Sequence, residues 1–187
     1  MFPMEHVVLV NEENEVLGTM PKHVVHGAET PLHRGFSLFV FDREGRLLLQ
    51  QRSRLKTTWP LTWSNSCCGH PELGESDADA SRRRAEVELG LQLADVRLML
   101  PYRYRFTRDG VVENEICPIL VARAASSISP NPEEVAETRW IGWPAFIEAL
   151  KTTPGRFSPW CEEEALMLAA DLTFRKWFDS LFDEVPA

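Results

Sequence analysis

Short runs in which apolar and polar residues alternate occupy the first three quarters of the chain, and such alternation is typical of half-buried strands. The runs are separated by polar turns, one of which contains Gly45 between two strand-like segments and predicts a hairpin. The predicted strands cover residues 6–10, 16–20, 36–42, 47–51, 96–106, 111–122 and 138–141.

Helical patterns follow in one central segment and near the end of the chain. Residues 76–89 form a predicted helix with Ser76 as N-cap, acidic residues in its first turn and Gly90 as its stop. Pro144 opens a short helix, and Ser158 with Pro159 opens a longer one that is expected to reach about residue 182. This order predicts an α+β fold, or an α/β sandwich, with a mixed sheet, flanking helices and an added C-terminal helix.

The length of 187 residues fits one domain spanning residues 1–187, and 44% of them are hydrophobic. We expect a cytoplasmic protein, since the sequence shows no basic targeting segment and no apolar run of the ~20 residues that a membrane span needs. Its 4 cysteines include the neighbours Cys67 and Cys68, which cannot easily bridge each other, so free thiols are expected. Either a monomer or a homodimer agrees with these features.

The formal net charge of −8 argues against non-specific binding to nucleic acid. It also opposes an anionic substrate, since the overall field of the protein would repel it. A phosphorylated small molecule is therefore expected to need cations gathered at the binding site, with help from a metal ion.

Two segments offer polar side chains with the two-residue spacing of one strand face. Cys68 and His70 are two residues apart, and Glu113 and Glu115 repeat the spacing, with Asn114 pointing the other way. Each feature alone has an ordinary interpretation, such as a solvent-exposed strand face or an inert buried thiol. Together they indicate chemistry by a thiol, an imidazole and carboxylates.

Histidines provide a candidate metal site. His26 and His33 lie upstream in a loop-like region and could join His70 with one or two carboxylates. Such a set suits Zn²⁺, Mn²⁺ or Mg²⁺, and the ligand types do not select among these ions. Taken singly, His26 or His33 would more often be a structural histidine.

The central helix and the loop before it resemble the Nudix box, G-x5-E-x7-R-E-U-x-E-E-x-G-U, in which U is apolar. The matching positions are Gly69, Glu75, Arg83, Glu88, Gly90 and Leu91. The chain departs from the pattern at Arg84 and Val87, where that family has carboxylates. The resemblance implies a Nudix-type α/β/α sandwich. One remaining helix carboxylate, Glu88, could help to hold a single Mg²⁺ but suits a two-metal hydrolysis poorly.

Nearly the whole chain is similar to the type I isopentenyl-diphosphate isomerases, which belong to the Nudix superfamily. The similarity is carried by the stretches Asn65-Ser66-Cys67-Cys68-Gly69-His70-Pro71, Tyr102-Arg103-Tyr104-Arg105, Glu113-Asn114-Glu115 and Ser158-Pro159-Trp160. It implies that the protein interconverts isopentenyl and dimethylallyl diphosphate by protonating an alkene and removing a second proton, in isoprenoid biosynthesis.

The same resemblance implies a role for each site residue. Cys68 and Glu115 are expected to flank the substrate and move protons, with Tyr104 assisting near Glu115 and Trp160 stabilising a cation. Diphosphate is expected to meet Mg²⁺ held by Glu88 and the backbone of Cys68. The cationic positions expected to bind the diphosphate are Lys22, Arg52, Lys56 and Arg83. The expected ligands of a second divalent ion are His26, His33, His70, Glu113 and Glu115.

Two other functions compete with this interpretation. A Nudix hydrolase of nucleoside diphosphate derivatives would need a carboxylate at residue 84 or 87. A zinc-stabilised binding module would unfold without metal and would not depend on the Cys68 thiol. Which of Cys68 and Glu115 is the acid stays open.

Overall fold

A computed structural model describes residues 5–182 of the chain. The strands are β1 His6–Val10, β2 Val16–Pro21, β3 His33–Arg34, β4 Phe36–Phe41, β5 Arg46–Arg52, β6 Trp63–Ser64, β7 Cys67–Gly69, β8 Leu93–Leu100, β9 Arg103–Arg108, β10 Val111–Ile116, β11 Ile119–Ala124 and β12 Val135–Gly142. The helices are α1 Lys22–Val25, α2 Asp77–Leu89, α3 Trp143–Thr152, α4 Pro159–Ala170 and α5 Leu172–Asp179, followed by a 3-10 turn at Ser180–Phe182. Within 5–182, no helix is both long and apolar enough to cross a membrane.

The strands form two mixed sheets, and at two places the chain runs directly from a strand of one sheet into a strand of the other. One sheet has the order β2-β1-β3-β10-β9, and the other has the order β12-β5-β4-β11-β8 with β6 and β7 at its side. The chain crosses from the first sheet to the second at Gly35, where β3 passes into β4, and at Cys117–Pro118, where β10 passes into β11. These two crossings run side by side, because both β3–β10 and β4–β11 are parallel pairs.

The larger sheet is covered on both faces, as the α/β/α sandwich predicted. On one face Phe39, Phe41 and Leu49 pack against the C-terminal helices. On the other face Leu38 and Val40 pack against α2. Every residue of β4 is buried, which is typical of a central strand with helices on both sides.

The capping prediction for the central helix is confirmed. The Ser76 side chain accepts a hydrogen bond from the Asp79 backbone amide, and Gly90 ends α2 in the left-handed region at φ 58°. The other boundaries differ more. The predicted strands 96–106 and 111–122 are each two strands, interrupted at Pro101 and Pro118, because proline cannot donate to the ladder.

The single long C-terminal helix predicted after Pro159 is wrong. The chain breaks at Asp171, which is extended at φ −80° and ψ 131° and whose carboxylate caps α5 by accepting from the Phe174 amide. Ser158 does occupy the N-cap position of α4, but its side chain makes no capping hydrogen bond. The short elements α1 and β3 were not predicted.

Candidate active site

A cavity of about 600 Å³ is lined by residues from strands of both sheets. Its walls bring together most of the residues singled out in the sequence. The predicted site residues that line it are Lys22, His26, Arg52, Lys56, Cys68, His70, Tyr104, Glu113, Glu115 and Trp160. Cys68 and Glu115 therefore border one common space, although they lie on strands of different sheets.

Cys68 lies in β7, which pairs antiparallel with β4 so that Cys68 faces Ser37. Its sulfur is 3.6 Å from the Ser37 hydroxyl and donates to Oδ1 of Asn65 at 3.3 Å. Burial raises the pKa of the Cys68 thiol to about 12, against the smaller lowering effect of these two hydrogen bonds. The neighbouring Cys67 points to the opposite face and is fully buried, so Cys68 is the thiol that reaches the cavity.

The carboxylates of β10 lie on one face, as the spacing predicted. Glu113 and Glu115 are each 5% exposed, and both line the cavity. The Asn114 side chain points away and donates to the Thr30 backbone oxygen. This pair is therefore not a solvent-exposed strand face, because two carboxylates are held almost out of water.

Three imidazoles surround these carboxylates. The rings of His26, His33 and His70 have centroids 5.1–5.8 Å apart. Oε1 of Glu115 is 3.1 Å from Nε2 of His70 and 3.4 Å from Nε2 of His33. Nε2 of His26 is 3.1 Å from Oε2 of Glu113.

This cluster fits a divalent metal ion. One ligand atom each from His26, His33, His70 and Glu115 lies within 4.8 Å of the others. Nε2 of His26 and of His33 is buried and close to a carboxylate, yet neither makes a hydrogen bond with acceptable geometry within the described chain. Nδ1 of His33 lies 2.9 Å from the Pro31 carbonyl oxygen, which can only accept, so Nδ1 carries the proton. The lone pair available to a metal ion is therefore on Nε2. Oε2 of Glu113 is also buried without a hydrogen-bond partner within the described chain and lies 3.1 Å from Nε2 of His26, so Glu113 borders the same cluster.

Burial and mutual contact perturb the pKa values in the cluster. Burial lowers the pKa of His70 to about 4, which outweighs the raising effect of Glu115. Burial also raises the pKa of Glu115, but the adjacent His70 and His33 reverse this and hold it well below its usual range. We therefore assign the ionised form to Glu115 and the neutral form to His70. The pKa of His33 is raised by Glu115 despite burial.

Aromatic rings form the apolar part of the cavity wall. Tyr104 and Trp160 stack with centroids 5.8 Å apart and planes 18° from parallel, and Trp59 meets Trp160 edge-on at 5.2 Å. Tyr104 pairs directly across from Glu115 in the β9–β10 ladder. Among residues 5–182 the Tyr104 hydroxyl makes no hydrogen bond to Glu115. The structure therefore places Tyr104 next to Glu115, as its predicted role in proton transfer requires, but without direct contact through the hydroxyl. Burial and the charge of Glu115 raise the pKa of Tyr104.

The cations of the cavity are balanced by acids. Lys22 pairs with Glu5 at 2.6 Å, and Lys56 pairs with Glu134. The lining holds three Lys or Arg side chains but five Glu side chains. The expected cations are therefore present, but acids outnumber them, so an anionic substrate needs metal ions to offset the acids.

Neither Arg83 nor Arg84 lines the cavity, so the structure does not bring Arg83 to the diphosphate-binding position that the resemblance implied. Arg83 points away from the cavity, donating to Glu75 at 2.6 Å and to the His70 carbonyl at 3.1 Å. Arg84 is 3% exposed and donates to Glu88 at 2.6 Å. In the sequence, Arg84 stood out only as a departure from the box. Its spacing of four residues from Glu88 was the one sequence signal for their ion pair.

Glu88 lies behind the cavity wall rather than in it. It is 1% exposed, with Oε1 bound by Arg84 and Oε2 accepting from Gln50 at 3.3 Å. Lys56 adds a second positive neighbour, with its Nζ 3.7 Å from Oε1 of Glu88. Because both oxygens already have partners in the protein, the predicted Mg²⁺ at Glu88 would have to compete with Arg84 and Gln50 for this carboxylate.

The chain is similar in sequence to a known family and to named proteins of that family. The family description "NUDIX domain" matches residues 31–161. A protein of Clavibacter michiganensis named isopentenyl-diphosphate Delta-isomerase is 51% identical over 158 residues, which cover 83% of this chain and 81% of that protein. Relatives with the same name from Frankia alni and Klebsiella pneumoniae are 46% and 42% identical, each covering 86% of this chain.

Two solved structures share the fold at low identity. A Deinococcus radiodurans protein superposes with a TM-score of 0.66 at 20% identity, covering 87% of this chain and 98% of that one. A MutT NUDIX hydrolase from Burkholderia pseudomallei superposes with a TM-score of 0.58, also at 20% identity, covering 73% of this chain and 96% of that one. At this identity the likeness concerns the fold and carries no conclusion about the reaction.

Proposed function

Since the chain belongs to the isopentenyl-diphosphate Delta-isomerases of the NUDIX family, we propose that it interconverts isopentenyl and dimethylallyl diphosphate, a step of isoprenoid biosynthesis. The observation that carries this proposal is that Cys68 and Glu115 border one cavity with the aromatic rings of Tyr104 and Trp160. The reaction adds a proton to the terminal alkene carbon and removes one from the carbon nearer the diphosphate. Such a transfer needs two proton-carrying groups around an apolar slot.

The protein's own residues supply the parts of this reaction. Cys68 and Glu115 act as the two proton carriers, and the buried walls exclude water that would trap a carbocation. Trp160 presents an indole ring in a desolvated position, where attraction for a cation reaches about 2 kcal/mol. Tyr104, opposite Glu115, limits the movement of that carboxylate and supports proton delivery.

A divalent ion belongs in the cluster of His26, His33, His70 and Glu115, and we propose Mn²⁺, Zn²⁺ or Mg²⁺. The chemistry that such an ion supplies is a fixed positive charge, which makes a proton shared with a ligand more acidic. Glu113, which the resemblance implies as a further ligand, holds its Oε2 3.1 Å from Nε2 of His26, where it could join the same ion. The role of the surrounding protein is to keep the imidazoles neutral and their Nε2 atoms convergent.

The diphosphate end of the substrate is assigned to the basic residues of the cavity, Lys22, Arg52 and Lys56. Arg83 and Arg84 do not line the cavity. Arg84 is linked to Lys56 because both side chains pair with Glu88 and Glu134. Because five Glu side chains share the lining, we propose that the diphosphate enters as its Mg²⁺ complex. All four cysteines are free thiols, which favours a reducing compartment such as the cytoplasm.

Incubation with isopentenyl diphosphate and divalent metal in D₂O tests the function. Wild-type protein should release dimethylallyl diphosphate carrying deuterium, detected by NMR or mass spectrometry. Cys68→Ala and Glu115→Gln should abolish this conversion, whereas Cys67→Ala, which alters the buried neighbour, should retain it. Normal turnover by Cys68→Ala would reject the thiol as a proton carrier.

The same incubation separates the rival functions. Release of inorganic phosphate or pyrophosphate, without isomerised product, would identify a hydrolase. That outcome is disfavoured by the helix, where the two positions that lack the box carboxylates are filled by buried Arg84 and by Val87, which is 47% exposed. Unfolding on metal removal, together with full function of Cys68→Ala, would instead identify a binding module.

A further inference from the structure

Asn65 is a fully buried residue beside the thiol, between β6 and β7. Its side-chain amide nitrogen donates to the Leu38 carbonyl at 3.1 Å and to the Cys67 carbonyl at 3.3 Å. Backbone carbonyls can only accept, so these two contacts fix which end of the amide faces them. The amide oxygen must therefore face the other way, where it accepts from the Cys68 thiol at 3.3 Å.

The same oxygen connects to the indole through Ser64. The Ser64 hydroxyl donates to Oδ1 of Asn65 at 2.9 Å and accepts from Nε1 of Trp160 at 3.1 Å. Since a hydroxyl has one proton, the 2.8 Å contact between Ser64 and Ser158 must be donated by Ser158. The Ser158 side chain is thus directed toward Ser64, and it makes no capping hydrogen bond at the start of α4.

Every donor direction in this buried network is thus determined. The network joins a loop residue next to β7, which carries Cys68, to the first turn of α4, which carries Trp160. Ser64 and Ser158 are 1% and 0% exposed, so water does not compete for these hydrogen bonds. A buried network with all members satisfied holds its side chains rigidly, which suits groups that must face a reacting centre.

We propose that Asn65 is a positioning residue that fixes the Cys68 thiol relative to the Trp160 indole. This inference rests on the proposed isomerase function. Asn65 does not touch the substrate cavity, so it acts through the thiol that does. Ser64 is the link that carries the constraint to the indole. Loss of the link should therefore slow the chemical step without weakening the binding of the diphosphate, which is held by other residues.

A role in folding alone would give a different result, and Ser66 provides the matched control. Ser66 is also fully buried in the same loop, but its hydroxyl serves only the backbone, accepting from the Val40 amide at 2.7 Å and donating to the Leu48 carbonyl at 2.6 Å. Ser66→Ala therefore removes a comparable buried hydroxyl without touching the thiol or the indole.

The test measures kcat, KM and thermal unfolding for Ser64→Ala, Ser64→Thr, Asn65→Ala and Ser66→Ala. For Ser64→Ala we expect kcat to fall about tenfold or more, because misplacing a reacting group by 1 Å can lower a rate about 100-fold. KM for isopentenyl diphosphate should stay within about twofold of wild type. Ser64→Thr keeps the hydroxyl and should recover most of kcat, while Ser66→Ala should lose stability with kcat intact.

Asn65→Ala should lower kcat further, if enough folded protein is obtained, since it also removes the contact with Cys68. Should it fail to fold, Ser64→Ala against Ser66→Ala decides the matter. Equal kcat values in those two variants, with active wild type, would overturn the positioning role alone. Absence of isomerisation by wild-type protein would overturn the proposed function and this inference with it.

Discussion

Gly35 lies directly against the carboxylate of Glu115, at the point where β3 passes into β4. A β-carbon at residue 35 would overlap Oε2 of Glu115 and would lie 2.8 Å from its Cδ. The Gly35 amide also donates to the Ile116 carbonyl at 2.9 Å, so the backbone cannot retreat without breaking the ladder between the crossing strands. Glycine is required here by the close approach of the Glu115 carboxylate rather than by its backbone angles.

Gly35→Ala is therefore expected to push Glu115 out of position. The substituted protein should fold, because the methyl group meets a side chain that can rotate into the cavity. We expect kcat to fall about 100-fold or more, as for other displaced reacting groups, and metal affinity to weaken with the displaced ligand. Both are measured by isomerase assay and metal titration.

Gly142→Ala is the control for this prediction, since a β-carbon there would have no neighbour within 4 Å. It should match wild type in both measurements. Full activity of Gly35→Ala would mean that the cavity accommodates another Glu115 position and that this position is also productive.

The pairing of site residues along single strands was predictable, because a two-residue spacing alone puts Cys68 with His70 and Glu113 with Glu115 on shared faces. The pairing between strands was not. His33 meets Glu115 only because the two-residue strand β3 runs parallel to β10, and a strand of two residues has no detectable pattern. The resemblance to known isomerases, rather than the residue pattern, linked His26 and His33 to the site.

Tertiary contacts also decided what local signals could not. The helix after Pro159 had an uninterrupted helical pattern, yet Asp171 ends it by capping the next helix. Arg83 matched the box by spacing, but burial against Glu88 belongs to Arg84. Adjacent residues on a helix differ by 100° in direction, so only the packing of α2 against the sheet shows which of the two faces inward.

Metal removal is predicted to affect both activity and stability. Dialysis against a chelator should abolish isomerisation, and one of Mn²⁺, Zn²⁺ or Mg²⁺ should restore it. An ion at one hundred times its Kd should raise the free energy of unfolding by about 2.7 kcal/mol, measured by urea unfolding with and without the ion. Replacement of buried His33 by Ala should remove this stabilisation, because it deletes a convergent Nε2 atom.

His6→Ala is the comparison for the metal prediction, since exposed His6 lies outside the cluster. It should keep the metal-dependent shift. If His33→Ala is stabilised as strongly as wild type, the convergent imidazoles are not the site of the ion, and the metal requirement would have to be assigned elsewhere.

Arg84→Met is predicted to destabilise the fold far more than Arg83→Met. Arg84 is buried against Glu88, so its loss leaves that buried carboxylate with only the more distant Lys56 as a positive neighbour, and breaking a buried pair typically costs about 3–5 kcal/mol. The Arg83 side chain is 31% exposed, and its pair with Glu75 is partly solvated, so about 1 kcal/mol or less is expected. Urea unfolding of both variants at one pH provides the comparison.

A double substitution refines this prediction. Arg84→Met combined with Glu88→Gln removes the uncompensated charge and should recover part of the lost stability. Equal destabilisation by the two single variants would show that the free energy of the Arg84–Glu88 contact does not follow its burial.

Glu164 is predicted to make the free energy of unfolding depend on pH. It is fully buried, and burial raises the pKa of its carboxyl well above the usual range, with further raising by Glu115 and Glu163 and partial lowering by the nearby Ser37 hydroxyl. The folded state therefore holds this proton more tightly than the unfolded chain does. A raised pKa stabilises the fold fully below the unfolded pKa, and this contribution is lost as pH rises toward the folded pKa. The Glu164→Gln side chain does not titrate, so the free energy of unfolding of this variant relative to wild type should rise with pH, by about 1.4 kcal/mol per pH unit in that window.

Urea unfolding at several values from pH 5 to pH 8 measures this slope. Glu86→Gln, at an exposed position, corrects for the loss of one acid. A difference that stays constant across this range would show that Glu164 binds its proton no more tightly in the folded protein than in the unfolded chain.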